Sequence, residues 1–186
     1  MLEAFRESQN RVTSMAIIHE ELYKGNEIDT LDFAAYLKKL TSDLLNSYSV
    51  QKDNIKLILN LEKTYLGMDT AIPLGIIVNE LVSNSLKHAF PDGAKGEIFI
   101  TLGKVDSFNQ DAGISGMEQC INEKRLPFRL VVADNGKGIP EGIDLKNIES
   151  LGLQLVDILV DQIDGCVELK RYKGTEFTIL FGDSGK

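Results

Sequence analysis

No stretch of the sequence approaches the roughly 20 consecutive apolar residues that a membrane-spanning helix needs, so no spanning segment is expected. The opening residues, MLEAFRESQNR, are polar and charged and do not form a secretory signal. Positive charge is in deficit: 20 Lys and Arg stand against 28 Asp and Glu, a net of -8 over 186 residues. A phosphate backbone is held by excess cations, so a general nucleic-acid surface is disfavoured, whereas a local anion site is not. Cysteine is scarce. Cys120 and Cys166 form no metal or redox spacing, and the expectation is a reducing, cytoplasmic compartment. No repeat or low-complexity tract is present. What remains, 43% hydrophobic and 26% charged residues, is the balance of one soluble domain with a small appendage.

Residues 1 to about 24 lack Gly and Pro and place Val12, Met15 and Leu22 at steps of three and four, with His19 between them. This predicts an amphipathic helix that ends at Gly25 and Asn26. A second helix is expected over about 31–48, with Leu31, Ala34, Ala35, Leu37, Leu40, Leu44 and Leu45 toward one side. Two helices joined by a short turn make a hairpin, which buries little without a partner, either the rest of the chain or a second copy. From about 55 the period changes: Ile55, Leu57, Leu59 and Leu61 alternate as in a strand. A helix over about 71–88 follows, opened near Pro73 and closed by Pro91-Asp92-Gly93. Strands are expected at 96–102 and 128–134, with 103–127 between them read as an exposed inserted loop. A glycine-rich loop (134–142), a helix (about 150–163) and a strand pair (166–171, 175–181) turning at Tyr172-Lys173-Gly174 complete the chain.

Four segments carry candidate chemistry. On the helix, Glu80, Asn84, Lys87 and His88 are spaced i, i+4, i+7 and i+8 and share an arc of roughly 100°. Val78, Leu81, Val82, Leu86 and Ala89 would take the opposite side. A solvated face is usually built of Lys and Glu pairs, and Asn inside a helix is unfavourable without a task. Second, the apolar strand ending Leu130-Val-Val-Ala133 runs into Asp134-Asn-Gly-Lys-Gly138, which puts a carboxylate at a rim where glycines let backbone approach a ligand. Third, Leu151-Gly152-Leu153 opens a helix whose free N–H groups attract phosphate. Fourth, Gly174-Thr175 opens the terminal strand. Alone, each has a plainer reading as a helix face, a turn or a helix start.

In order, ELxxNxxKHA, DNGKGIP, SLGLxLV and GTEF resemble the ATP-binding motifs of the GHKL superfamily, which holds gyrase, MutL, heat-shock chaperones and histidine kinases. In finer detail, IPLGIIVNELVSNSLKHAFP and ESQNRVTSMAIIHEELY resemble sensor histidine kinases with a short-lid catalytic domain. The resemblance implies an α+β fold, a two-layer α/β sandwich with a mixed sheet, preceded by a helical hairpin. It divides the chain into a helical segment, 1–50, left from the dimerisation and histidine-phosphotransfer region, and a catalytic domain, 51–186. It implies ATP and Mg2+ as cofactors. Asn84 would hold Mg2+, Glu80 would orient or deprotonate the nucleophile, and Lys87 and His88 would sit at the phosphates. Asp134 would accept from the adenine amino group, Gly136 and Gly138 would shape the pocket, N–H groups around Leu151, Gly152 and Leu153 would meet phosphates, and Thr175 would assist at the adenine end.

Only about a dozen residues separate Gly138 from Leu151, with no Phe among them, so the lid over the nucleotide is expected to be short, about 139–149. His19 sits on the apolar seam in the sequence IIHEELY, which resembles the second helix of the family's hairpin. It is therefore expected to be structural, with the phosphoacceptor histidine on a helix upstream or in a dimer mate. A response regulator and a homodimeric full-length protein are the implied partners. A serine kinase of the anti-sigma-factor type shares the first motif and the short lid but begins close to its first strand. An ATP-gated interaction domain is the non-enzymatic alternative.

Overall fold

Asp32 ends a short strand, β1 (Thr30–Asp32), and caps the helix that follows, its Oδ1 accepting the Ala35 N–H at 3.0 Å. The computed structural model describes Val12, Ala16, Glu20 and residues 30–48, 54–105, 117, 120, 124, 126–139 and 151–183. From the Asp32 cap, α1 (Phe33–Ser47) turns Phe33, Ala34, Tyr36, Leu37, Leu40, Thr41 and Leu44 inward. The expected inward set needs correction at three positions. Leu31 belongs to β1, Ala35 is exposed and Leu45 is half-buried. Phe33 and Tyr36 take their place as two of the largest fully buried side chains. Burial pushes the Tyr36 phenol well above the usual tyrosine range.

Beyond α1 come β2 (Ile55–Leu61), β3 (Tyr65–Gly67) and α2 (Met68–Asn84), which continues as a π-helical turn (Ser85–Ala89). β1 pairs antiparallel with β3, Leu31 opposite Leu66. That two-stranded ribbon, unforeseen in the sequence, anchors the start of α1 beside the start of α2. α2 begins earlier than expected, and Pro73 lies inside it rather than at its opening. The Gly67 N–H at its start is satisfied by Asp183 Oδ1 at 3.1 Å, from the end of the chain's last strand.

Among the described residues the remaining strands are β4 (Gly96–Lys104), β5 (Phe128–Asp134), β6 (Cys166–Lys170) and β7 (Thr175–Phe181), with α3 (Leu151–Gln162) before β6. They form one five-stranded sheet with β2, in the order β2-β4-β5-β7-β6. β2 and β4 run parallel and every other pair antiparallel, so the sheet is mixed, as expected. The period of two puts Ile98, Ile100 and Leu102 of β4 on one face with Leu130 and Val132 of β5 and Phe177 and Ile179 of β7. These side chains share one core with α1, α2 and α3, which makes two layers, helices on sheet. The division placed at residue 50 does not coincide with a break in packing: Leu37, Leu40 and Leu44 lie in the same cluster as Ile77 and Leu81.

The opposite face of the sheet is covered as well, with Arg129, Val131, Thr178 and Leu180 all buried. Burial lowers the Arg129 guanidinium from its ordinary range, against the opposing pull of Glu176 and Glu168. The connection from β4 to β5 docks on this side. Met117 is buried, Lys124 Nζ donates to Asp164 O at 3.2 Å, and Cys120 is disulfide-bonded to Cys166 on edge strand β6. Two expectations change here: Met117, Cys120 and Lys124 tie the segment 103–127 to the body, and the cysteines are paired. A pairing across 46 residues leaves no local spacing to read. Among the described residues no helix is long and apolar enough to cross a membrane.

Candidate nucleotide site

Asp134 ends β5 on the same face as Leu130 and Val132, so strand alternation carries a carboxylate to the edge of the apolar core. It is 7% exposed. Both of its oxygens are engaged. Oδ1 accepts the Gly136 N–H at 3.0 Å, and Oδ2 accepts the Ser85 hydroxyl at 2.8 Å. Thr175, the first residue of β7, sits opposite Asp134 in the ladder. The loop that follows is held on both sides. Asn135 Oδ1 accepts the Glu97 N–H at 2.8 Å, and the Lys137 N–H donates to Ala89 O at 2.9 Å.

Two glycines make this approach possible. A Cβ on Gly136 would collide with the backbone and side chain of Ala89. Gly174, at φ +123°, lies so close to the Asp134 carbonyl that a side chain would overlap it.

The other wall comes from α2. Between this helix and the strands lies a cavity of about 570 Å3, of ordinary size for a small-molecule site. Leu81, Asn84, Ser85, His88 and Ala89 face it from the helix; Val132, Asp134, Thr175 and Phe177 from the strands; Lys137, Gly138, Ile139 and Leu153 close its rim. Leu81, Asn84, Ser85 and His88 lie within an arc of about 100° on a helical wheel. That arc is displaced from the expected polar stripe and is partly apolar. Leu81 and Ala89, assigned to the opposite side, therefore belong to the wall. The helix also changes winding here: from Ser85 to Ala89 it is π-helical, a feature that recurs at functional sites because it re-aims side chains.

Of the expected site residues, Asn84, His88, Asp134, Gly138, Leu153 and Thr175 line the cavity. Gly136 lies just behind it, against Ala89. Glu80 stands one helical turn before Asn84 and is 5% exposed. Its Oε1 accepts from Asn79 Nδ2 at 3.2 Å, while a Cβ on Gly152 would stand 2.7 Å from its Oε2. Lys87 is half-buried and outside the wall, and Leu151 is exposed at the start of α3. His19 and all of the expected lid but Ile139 lie outside the described residues. Sequence reasoning missed Ser85, Lys137 and Phe177. Strand alternation from Thr175 would have found Phe177; no pattern marked Ser85 among the other polar residues of the helix.

The cavity brings the Asp134 carboxylate together with an apolar lining that includes Val132, Phe177, Leu81 and Leu153, which suits a flat heterocycle with an amino group. Near Asn84 it offers an amide, with the Glu80 carboxylate behind it and the Gly152 backbone beside both. Among the described residues no group of three His, Cys, Asp or Glu could form a metal cage. One amide oxygen beside one carboxylate fits an ion that is shared with substrate phosphates and water, the usual arrangement for Mg2+.

Residues 69–184 match the family described as histidine kinase-, DNA gyrase B- and HSP90-like ATPases, and residues 1–48 match a histidine kinase family. The sensor histidine kinase PdtaS of Mycobacterium tuberculosis is 27% identical over 181 residues, covering 95% of this chain and 32% of that protein. Blue-light-activated histidine kinase 2 of Erythrobacter litoralis is 26% identical over 180 residues, covering 95% of this chain and 46% of that protein. The chain thus spans 32% to 46% of the length of these relatives. The solved histidine kinase domain of the Erythrobacter litoralis EL346 blue-light-activated kinase superposes with a TM-score of 0.77 at 24% identity. That superposition covers 96% of this chain and 75% of the other, and shows the shared fold.

Proposed function

The chain belongs to the histidine kinase-, DNA gyrase B- and HSP90-like ATPases, and from that premise we propose that it is the catalytic region of a sensor histidine kinase, binding Mg-ATP and transferring the γ-phosphoryl group to a histidine. The observation that carries the reading is one cavity lined by Asp134, an apolar wall and Asn84, with Glu80 and Gly152 adjoining Asn84. The adenine ring lies against Val132, Phe177 and Leu153, and its amino group donates to Asp134. Thr175 supports the same end. The phosphates extend toward Asn84 and the start of α3. There Lys137 on the wall, with Lys87 outside it, supplies local positive charge despite the chain's net of -8, and His88 lies on the same wall.

Mg2+ would be held by the Asn84 amide oxygen with phosphate oxygens and water, and it would supply charge neutralisation at the transferring group. The protein's own part is positioning. An imidazole nitrogen of the acceptor attacks the γ-phosphorus, the bond from that phosphorus to the bridging oxygen breaks, and ADP leaves with the electron pair. Glu80, whose Oε1 accepts from Asn79 and whose Oε2 has room because residue 152 is glycine, orients the attacking ring and accepts the proton from its far nitrogen. The acceptor histidine lies on a helix upstream or in a dimer mate. The phosphoryl group then passes to an aspartate of a response regulator, and the full-length protein acts as a homodimer. A serine kinase of the anti-sigma type would leave the match of residues 1–48 to a histidine kinase family unaccounted for.

Incubation of the full-length protein with γ-labelled ATP tests this. The expected product is a phosphoramidate, labile to acid and stable to base, mapped outside residues 51–186. Acid-stable phosphoserine on a second protein would overturn the reading. Label abolished by His19→Gln and retained on this chain alone would move the acceptor to His19.

A further inference from the structure

Asp134 is the only acid among the described residues that line the cavity. Its Oδ1 is already committed to the Gly136 N–H and its Oδ2 to the Ser85 hydroxyl. A carboxylate has about four acceptor positions, so one remains on each oxygen for a ligand. A serine hydroxyl has a single proton. Once Ser85 gives that proton to Asp134 Oδ2, its oxygen has only lone pairs left to present to the cavity it lines. Ser85 and Asp134 are both buried, 7% exposed each, and the acceptor positions left to them face the cavity they line.

We propose that Ser85 is a specificity-determining residue for 6-aminopurine nucleotides, acting through its hydrogen bond to Asp134 Oδ2. The pair forms a face that only accepts. The exocyclic amino group of adenine donates to it, whereas the 6-oxo group of guanine would bring a further acceptor against fixed lone pairs with no proton between them. Ser85 also locks the rotation of the carboxylate, so that the free acceptor position on Oδ2 points where the amino group arrives. Alanine at this position would leave Asp134 with one anchor, at Gly136, and a methyl group where the hydroxyl oxygen stood. This inference rests on the reading of the Asp134 end as the adenine site.

The test measures the affinity of this chain for Mg-ATP, Mg-GTP and the triphosphate of purine riboside, which lacks the 6-amino group. Wild type, Ser85→Ala, Ser85→Thr and Asp134→Ala are compared by calorimetry, with thermal unfolding of each as a control. Ser85→Ala should weaken ATP roughly tenfold, the order expected for a hydrogen bond to a charged group. It should change the purine riboside triphosphate less than about twofold and narrow the preference for ATP over GTP by the same factor as the ATP loss. Ser85→Thr keeps the hydroxyl and should restore the preference. Equal weakening of all three nucleotides, or an unchanged ATP-to-GTP ratio in Ser85→Ala, would overturn the proposal. If Asp134→Ala binds ATP as wild type does, the adenine assignment itself fails and Ser85 with it. If Asp134→Ala loses ATP while Ser85→Ala keeps full selectivity, only the role given to Ser85 fails.

Discussion

Gly152 and Gly136 both deny space to a side chain, but what each would strike differs, and so do the expected consequences. A methyl group on Gly152 would meet Glu80 Oε2, the end of a side chain that can swing away. A methyl group on Gly136 would meet the Ala89 carbonyl, which is locked in the π-helical turn and already accepts the Lys137 N–H. Gly152→Ala should therefore leave the melting temperature within a few degrees while lowering label transfer from ATP roughly 10–100-fold, because a displaced Glu80 no longer meets the acceptor. Gly136→Ala should cost about 1–3 kcal/mol of stability, as overpacking does, seen in urea unfolding. Equal stability losses in the two variants would contradict this contrast. At this scale the sequence revealed much of the site. Asn84 stood out because amides are poor helix-interior residues, and Asp134 because strand alternation ends on it beside two glycines. Ser85 gave no such signal. Its task depends on a carboxylate 49 positions away, and only the fold brings the two together.

Among the elements, α1 shows how far a periodic pattern reaches. Its spacing of apolar residues announced a helix and an inward face, yet could not say what that face meets. Read as half of a hairpin in need of a partner, it finds that partner in the rest of the chain and is a wall of the main core. Phe33, Tyr36, Leu37, Leu40 and Leu44 are each at most 4% exposed. At about 1.5–3 kcal/mol for each such side chain, their burial rivals the roughly 5–15 kcal/mol by which a whole domain is stable. The described link to the preceding segment is lighter: Glu20 and Lys39 pair at 2.8 Å, both partly exposed, and such surface pairs contribute little. A protein that begins at Thr30 should keep one cooperative thermal transition, and one that begins at Gln51 should lose it. A cooperative transition in the shorter protein would return α1 to the helical appendage. The same limit explains β1 and β3. Three-residue strands carry too few positions for a period, and Leu31 was absorbed into the helix beside it. The docked connection after β4 escaped notice for a related reason, since it packs through scattered single residues such as Met117 and Cys120.

For the molecule as a whole, composition and function operate at different ranges. A net charge of -8 describes the surface and disfavours nucleic acid, but is silent about a ligand held by groups within a few ångström of it. The mixed sheet and its helix layer were what the family resemblance implied, and both are found as expected. What the order of motifs could not give was depth: which of the named residues face the cavity and which stand behind it. That distinction comes from the displaced arc of α2 and its π turn, and it separates Asn84 on the wall from Glu80 behind it. The account therefore depends most on Asn84, the one residue that is to reach the phosphates and the metal ion together. Calorimetric titration of the chain with Mg-ATP should show one site per chain in wild type and no measurable binding in Asn84→Ala, with both proteins equally folded by thermal unfolding. Binding of Mg-ATP to Asn84→Ala with wild-type affinity would contradict the assignment of this cavity as the nucleotide site.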